Sequence, residues 1–500
     1  MASVQLPLLG FTAAYSGFVL SSARILVLGP SFLFFVYVTV NEIVRLRSRV
    51  PRLAGPWGYP LVGSLPSIEG KANSEEYRKW AARYGDVFQV QLGNTTAVVV
   101  NSAAAARALF IAQREATNGR PIFYVLHKKV QRGGPVTSIG TSPWDESCKR
   151  RRKVAATALN KTSVQSYLPI LNLESRAFLR DILATCQNGT VAVNILDPAR
   201  KFSLNLSLTL SYGTRFEDVK DLHDDLLLSE IIYIEEQIAA FRDVSSNLSN
   251  YIPVLRPLHA VAAFLGFRSG THMADVGNRR QAYHAALQEN LRREIARGAD
   301  RPCIQGNVLK DPESKGLSEG ELLSVSLSMM AGADTTKRSI MWAMLFLAHR
   351  QDVQEKAYRA IAESDGGRLL ESPDVAHTKI EYLEALTKEV DPAVFSDPDS
   401  FTPERWLDDD QTANRHQYAF GIGGRMCVAS HVASKALYTV LLHLVAHFRI
   451  LPAEGSSNDE IDPVAGLAVP GNHQAAPRAR HVRIIPRNQG LTRGMLSVSA

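Results

Sequence analysis

The sequence is short of cysteine and shorter still of paired cysteine. Four stand in 500 residues, Cys148, Cys186, Cys303 and Cys427, and no two fall in a C-x-x-C pair. That spacing excludes a disulfide framework and a clustered zinc site. Cys186 and Cys303 read as buried, reduced thiols. Nucleotide fingerprints are also missing: there is no G-x-G-x-x-G and no P-loop, so a fused electron-donating domain is not encoded. Strong charge of one sign is lacking too. A net +7 suits an anionic membrane surface or an acidic partner and is too dispersed for nucleic acid. Repeats and long low-complexity tracts are absent.

Charge is scarcest at the N-terminus. Between Leu6 and Val44 only Arg24 and Glu42 are charged, and residues 25–40 read ILVLGPSFLFFVYVTV. With its flanks this run reaches the roughly 20 residues that span a bilayer. A weaker apolar run over residues 6–20 leaves one or two passes open. A cleaved signal peptide is disfavoured because a charged leader and an A-x-A site are missing. Arg45, Arg47, Arg49 and Arg52 follow the apolar run, and by the positive-inside rule they put the rest of the chain in the cytosol. The expected organisation is a membrane anchor with its basic flank at 1–50, a Pro/Gly-rich hinge at 51–66 and a single body at 67–500.

Within the body the reading is mainly α with a small β portion. Asn73 and Glu76 are spaced as a capping box and open a helix to Tyr84. Residues 87–92 and 97–100 are β-rich runs around Gly93-Asn94, a hairpin signal. Ser318 and Glu321 form a second capping-box pattern. They open an apolar helix that runs to His349, about 31 residues and roughly 47 Å long, enough to cross a domain as a central beam. The tail beyond Ile450 reads as short strands and loops.

Two constellations carry chemistry. The first is Phe420-Gly421-Ile422-Gly423-Gly424-Arg425-Met426-Cys427. Three glycines allow a tight turn and close backbone approach to a flat ligand. Arg425 supplies a cation for a carboxylate. An apolar helical run follows Cys427, so its sulfur sits by a helix N-terminus, where a thiolate is favoured. The second is Ala331-Gly332-Ala333-Asp334-Thr335-Thr336 in the middle of the beam. A mid-helix glycine costs about 1 kcal/mol relative to alanine, and an acid in a core helix needs a partner. Read alone, this second segment is a kink with a satisfied polar cluster.

Together these residues resemble the cytochrome P450 family. Phe420, Gly423, Arg425, Cys427 and Ala429 fill its F-x-x-G-x-R-x-C-x-(G/A) signature, and 331–336 looks like its A-G-x-D-T-T motif. The resemblance implies haem b with Cys427 as axial ligand to the iron, a thiolate that drives O–O cleavage. It implies that Gly332 widens a groove for O2, that Thr335 hydrogen-bonds the bound oxygen and that Asp334 relays protons. It also implies a small-molecule substrate, contact with membrane lipid, electrons from NADPH-cytochrome P450 reductase, and an endoplasmic reticulum membrane location with the catalytic domain facing the cytosol. Trp144 and the basic run 149–153 resemble the helix that binds the haem propionates. The family's W-x-x-x-R spacing fails, because Cys148 holds the arginine position. Arg151 shares the helical face of Trp144, Arg152 is an equal choice, and a solvated basic patch or reductase-docking surface is the plain alternative.

The resemblance has a hole. Pro403-Glu404-Arg405-Trp406 looks like the family's PERW element, and Tyr382–Glu389 looks like its K helix, whose E-x-x-R arginine joins a three-way cluster with Arg405. Here Pro392 stands where that arginine belongs. Glu389 and Arg405 are 16 positions apart (405 − 389), whereas the family carries several dozen more. Glu75–Arg78 and Glu294–Arg297 also spell E-x-x-R, on the wrong side of the beam. A segment is therefore missing between about 390 and 391, through a deletion or gene-model error or a degenerate paralogue, and the expectation is poor haem retention. Stretches 120–124, 142–151 and 391–398 look like fungal phenylacetate-type hydroxylases. These imply oxygen insertion into an aromatic acid or a secondary-metabolite intermediate, with Phe123, Tyr124 and His127 either lining a pocket or packing. The competing readings are a P450-type isomerase or dehydratase, and a membrane-anchored haem protein without turnover.

Overall fold

The computed structural model describes residues 9–132, 137–216, 222, 225–243, 247–264, 268–364, 366–367, 375–388, 401–407, 418–471, 475–490, 492 and 494, and the side chains of the first 27 residues are not among them. The described elements are mostly helical. Those that frame the site are α1 (Leu9–Arg47), α2 (Asn73–Tyr84), β1 (Val87–Leu92), β2 (Thr95–Val100), α3 (Glu146–Ala158), α4 (Leu168–Thr185), β3 (Ala192–Asn194), α5 (Leu196–Tyr212), α6 (Leu226–Ala240), α7 (Arg268–Arg297), α8 (Glu319–His349), α9 (Gln351–Glu363), α10 (Glu381–Lys388), α11 (Ser430–His447), β4 (Phe448–Pro452) and β5 (His481–Pro486).

The beam is present as the capping pattern required. The Ser318 hydroxyl accepts from the Glu321 N–H at 3.3 Å, and the Ser318 N–H donates to Glu321 Oε2 at 2.9 Å. Two orphan donors of α8 are thereby satisfied. The helix then runs 31 residues without a break. α8 packs on α3, α5, α7, α9 and α11. Its Val325, Ile340, Met344, Leu345 and Leu347 sit in the largest apolar cluster with Leu171 and Phe178 of α4 and Val440 and Leu444 of α11. The two sheets are marginal to this core. β1 and β2 form an antiparallel hairpin from Val87↔Val100 to Leu92↔Thr95, and β3, β5 and β4 form a three-stranded sheet in that order.

Three local expectations change. The first capping box does not form: α2 starts at Asn73, Ala72 precedes it, and no side chain caps it. Glu75 and Glu76 pair with Arg78 and Lys79 one turn on. A two-pass hairpin gives way to one helix, α1, with Pro30 inside it. The transmembrane anchor is not met within the described residues, where no helix is long and apolar enough to cross a membrane.

The arginines after the apolar run have a structural task. Arg45 is buried, pairs with Glu42 at 2.6 Å and donates to Trp57 O at 2.6 Å. Arg49 donates to Pro56 O and Gly55 O and lies 4.5 Å from the Trp57 ring centroid. Glu42 also accepts from the Leu61 N–H at 2.8 Å. The proline-rich elbow offers carbonyls that no helix or sheet uses, and these guanidinium groups satisfy them.

Candidate active site

The cysteine loop is built by its glycines. Gly421 and Gly423 have φ of +76° and +68°, a region that side chains with a Cβ enter only at a cost. A Cβ on Gly423 would lie 2.1 Å from Phe110 O, and one on Gly424 would lie 2.6 Å from Asn118 Oδ1. The loop thus lies directly on the segment around residues 110–118. It closes through the Cys427 N–H, which donates to Phe420 O at 2.8 Å. Cys427 stands just before α11, ahead of Ala429 at the helix's cap position and so earlier than a strict helix-terminal position.

Cys427 differs from the other cysteines. Cys148, Cys186 and Cys303 are buried while Cys427 is exposed. Burial within the body pushes the Cys427 thiol up, and the Ala429 N–H and the Arg152 guanidinium pull it down. By contrast, burial pushes Cys303 up to about 11 and leaves it unreactive.

The arginines divide their work. Arg425 donates from Nε to Asn118 O at 2.7 Å, from Nη1 to Ile139 O at 3.3 Å and Cys148 Sγ at 3.2 Å, and from Nη2 to Ser142 O. It also lies 5.0 Å from the Trp144 ring centroid. It therefore sews the cysteine loop to the segment ahead of α3. Arg151 is 1% exposed. It donates to Thr137 O at 2.6 Å, to Ser142 Oγ at 3.1 Å and to Ser324 Oγ at 2.5 Å on α8. Of the two arginines weighed from the sequence, Arg151 is consumed by protein and Arg152 reaches the cysteine loop, donating to Met426 O at 2.8 Å. Burial lowers the pKa of Arg152, with the like charges of Arg425 and Arg120 adding to it. Arg120 is lowered by burial and by Arg425 in turn. Nothing in the spacing singled out Arg120. Three mutually repelling guanidinium groups beside one loop call for anions, and the two propionates of haem fit that demand.

The second constellation lies on α8, which packs on α11, the helix that follows the cysteine loop. Thr335 is exposed on α8 among partly buried neighbours, with Ala333 and Ile340 buried on either side. A Cβ on Gly332 would meet nothing within 4 Å, which leaves room for a small ligand. The Thr335 hydroxyl donates to Gly332 O at 3.1 Å. Asp334 has the partners its position demanded: Lys337 at 2.9 Å and Arg338 at 2.5 Å. The accessible thiol of Cys427, the basic cluster and the open face of α8 together fit a flat, dianionic, metal-bearing ligand.

Two other groups resolve towards packing. His127 is buried, accepting from the Phe123 N–H at 3.0 Å and lying 3.3 Å from Thr141 O. Tyr124 lies beneath Arg256 and Lys129, at 5.0 and 5.4 Å. The two stray E-x-x-R strings form i,i+3 ion pairs on helix surfaces, Arg78–Glu75 and Arg297–Glu294.

The clamp region is partly described. Glu389 and Pro392 lie outside the described residues. The PERW turn is tied to α10 by the Tyr382 hydroxyl, which donates to Glu404 Oε1 at 3.0 Å, and to α9 by Lys356, 2.5 Å from the same oxygen. Arg405 donates from Nε to Thr402 O at 3.1 Å.

Comparison with known proteins agrees with this arrangement. The Cytochrome P450 family model matches in two stretches, residues 53–390 and 389–474. The chain is 37% identical to 3-hydroxyphenylacetate 6-hydroxylase of Emericella nidulans, across 91% of this chain and 92% of that protein. It is 34% identical to phenylacetate 2-hydroxylase of the same organism, across 91% and 94%, and 33% identical to a cytochrome P450 monooxygenase of Mycosarcoma maydis, across 94% and 93%. Fold, cysteine loop and relatives converge, and the chain belongs to the cytochrome P450 family.

Proposed function

We propose that this P450 monooxygenase hydroxylates the ring of a small aromatic acid. The reading is supported by an accessible Cys427 in a glycine-built loop and by the Asp334–Thr335 pair on α8, a helix that packs on α11 directly after that loop. Two relatives named for phenylacetate hydroxylation support the substrate class. When bound, haem b supplies the activation of O2, with the Cys427 thiolate as its axial ligand. Arg152, Arg120 and Arg425 offer the positive field for its propionates, and Trp144 braces Arg425. Thr335 presents an exposed hydroxyl, and Asp334, held by Lys337 and Arg338, stands next to it to pass protons. That acid–alcohol pair favours hydroxylation over isomerisation or dehydration. Electrons come from NADPH-cytochrome P450 reductase.

The chain works at the endoplasmic reticulum membrane with its body on the cytosolic side. Support comes from α1, where Leu28, Phe32, Leu33, Phe34 and Phe35 are each more than half exposed, an apolar stretch all round the helix that is suited to lipid. A segment is missing between about 390 and 391. Support comes from the family match, which breaks at that point. The alignment to the first relative points the same way: it fills 499 positions with 91% of 500 residues, so several dozen positions face a gap in this chain.

Thr335→Ala is the test of the oxygen chemistry. With aryl acetate substrates, product formed per O2 consumed should fall about tenfold or more, and Thr335→Ser should recover most of it. Unchanged coupling in Thr335→Ala would sink the role given to this hydroxyl.

A further inference from the structure

The helix α8 carries Glu321, Ser324, Ser328, Gly332, Thr335 and Ser339. Counted at about 100° per residue, these six fall within one strip about 80° wide. The first half of the strip is engaged by hydrogen bonds to other elements. Glu321 Oε1 accepts from the Ser147 hydroxyl at 2.5 Å and from Arg150 Nη2 at 2.9 Å, both on α3. The Ser324 hydroxyl donates to Thr137 O at 2.6 Å and accepts from Arg151 Nη1 at 2.5 Å. The Ser328 hydroxyl accepts from the Ile139 N–H at 2.8 Å and donates to Ser324 O at 2.8 Å. These contacts oppose any roll of α8 about its axis, and the strip they fix is the one on which Thr335 stands.

Residues 137–142 form a strap between this strip and the cysteine loop. The strap is closed on itself: the Thr141 and Ser142 N–H groups both donate to Ser138 O at 3.0 Å, and the Ser142 hydroxyl donates to Thr137 O at 3.0 Å. Thr137, Ser138, Ile139 and Ser142 are buried. Ser324 and Ser328 hold the strap from α8. From the other end it receives Arg425, whose Nη1 donates to Ile139 O at 3.3 Å and whose Nη2 donates to Ser142 O. Ile139 is thus held at both its polar atoms, the N–H by Ser328 and the carbonyl by Arg425. Among the described residues no backbone carbonyl takes that N–H, so without the Ser328 hydroxyl a buried donor loses its acceptor.

We propose that Ser328 is a positioning residue of the active site: acting through Ile139, it holds Arg425, and with it the Cys427 loop, against the strip of α8 that bears Thr335. This rests on the reading of Arg425, Cys427 and Thr335 as parts of one site. Ser328 stands about two turns before Thr335 and acts through main-chain atoms of the strap. A hydroxyl suits the task because it accepts one hydrogen bond and donates another, and both are used here. The strap is thereby tied to α8 at Ser324 and again one turn on at Ser328.

The test reads the reactivity of Cys427 towards iodoacetamide in the full-length chain stripped of haem, followed by mass spectrometry of its peptide. Cys186 and Cys303, both buried and outside the strap, report general loosening in the same sample. Ser328→Ala should raise the Cys427 rate roughly three- to tenfold and leave Cys186 and Cys303 within about twofold. Ser328→Thr, which keeps the hydroxyl, should return the rate to that of the unsubstituted chain. In an Arg425→Gln background, where the strap has already lost its hold on the loop, Ser328→Ala should add nothing. An unchanged Cys427 rate in Ser328→Ala, a rise shared by Cys186 and Cys303, or full additivity with Arg425→Gln would each overturn the assignment. If Cys427 responds as expected while Thr335→Ala leaves the coupling of O2 to product unchanged, the positioning role of Ser328 stands and the oxygen role of Thr335 falls.

Discussion

Arg152 donates from Nη2 to the carbonyl oxygen of Met426 at 2.8 Å, which ties α3 to the residue before the cysteine. Its neighbour Arg151 points the other way and joins α3 to α8 through Ser324. One helical step separates a group at the site from a group in the frame. The two substitutions should therefore fail differently. Arg152→Gln should release haem to apomyoglobin about tenfold faster, through loss of a charge-assisted contact, with little change in melting temperature. Arg151→Met should remove the guanidinium donor from the Ser142 and Ser324 hydroxyls, while Thr137 O keeps those hydroxyls as donors, and lower stability by about 3 kcal/mol. Matching melting curves for both variants would contradict this division.

Gly423 has no alternative. Its left-handed backbone alone costs a side chain about 1–3 kcal/mol, and its Cβ would overlap Phe110 O. Gly423→Ala should shift the loop and cut the haem-bound fraction severely. Gly332→Ala is the contrast, since its Cβ meets open space. It should fold and load haem to the same extent as the unsubstituted chain while altering O2 handling. Normal haem loading in Gly423→Ala, read from the CO-bound spectrum, would count against the loop geometry.

Much of this was legible because it depends on short-range pattern. The Ser318/Glu321 box, the length of α8 and the 93–94 turn follow from local hydrogen-bond and backbone rules, and the cysteine loop from its glycines. What was not legible depends on tertiary direction. Arg151 and Arg152 are adjacent, and which one reaches the cysteine loop is decided by how α3 rolls against α8, which no spacing rule encodes. Asn73 failed as a cap because Ala72 takes that place and the following glutamates pair along the helix instead. Arg120 lies in a segment without periodicity, and its meaning comes from the charges brought near it. The polar tie from Tyr382 to Glu404 was missed for the same reason.

Acid should destabilise the body over a window set by histidines. Burial pushes His443 down to about 3, helped by His447 and Arg176, and burial pushes His447 down to about 4. Both are neutral in the folded protein, while in the unfolded chain they take up protons below about 6.5. The unfolded state therefore binds more protons as pH falls, so stability is fully present above about 6.5 and is lost on descent towards 4 and 3. The melting temperature should fall through that range. In His443→Leu, which removes a buried nitrogen with no partner, the fall should be shallower. An equally steep fall in that variant would assign the acid sensitivity elsewhere.

The family-model match splits between residues 390 and 389, and this sets the last expectation. In a P450 the K-helix arginine joins its glutamate and the PERW arginine into one cluster, and here Pro392 occupies that arginine's place. The described ties of the PERW turn run through Tyr382 and Lys356 to Glu404, both of them partly exposed contacts of modest worth. They hold the turn against α9 and α10 without replacing a buried cluster. The chain as written should therefore bind haem well below one equivalent, and its reduced, CO-bound form should be dominated by a species lacking normal thiolate ligation. Full-length transcripts should contain the several dozen missing residues. Expression with that segment restored should bring haem to near full occupancy while leaving Cys427, Asp334 and Thr335 unaltered. A normal thiolate-type band at full occupancy from the present chain would mean that the Glu404 ties suffice, and the missing segment would then bear on substrate access rather than on haem retention.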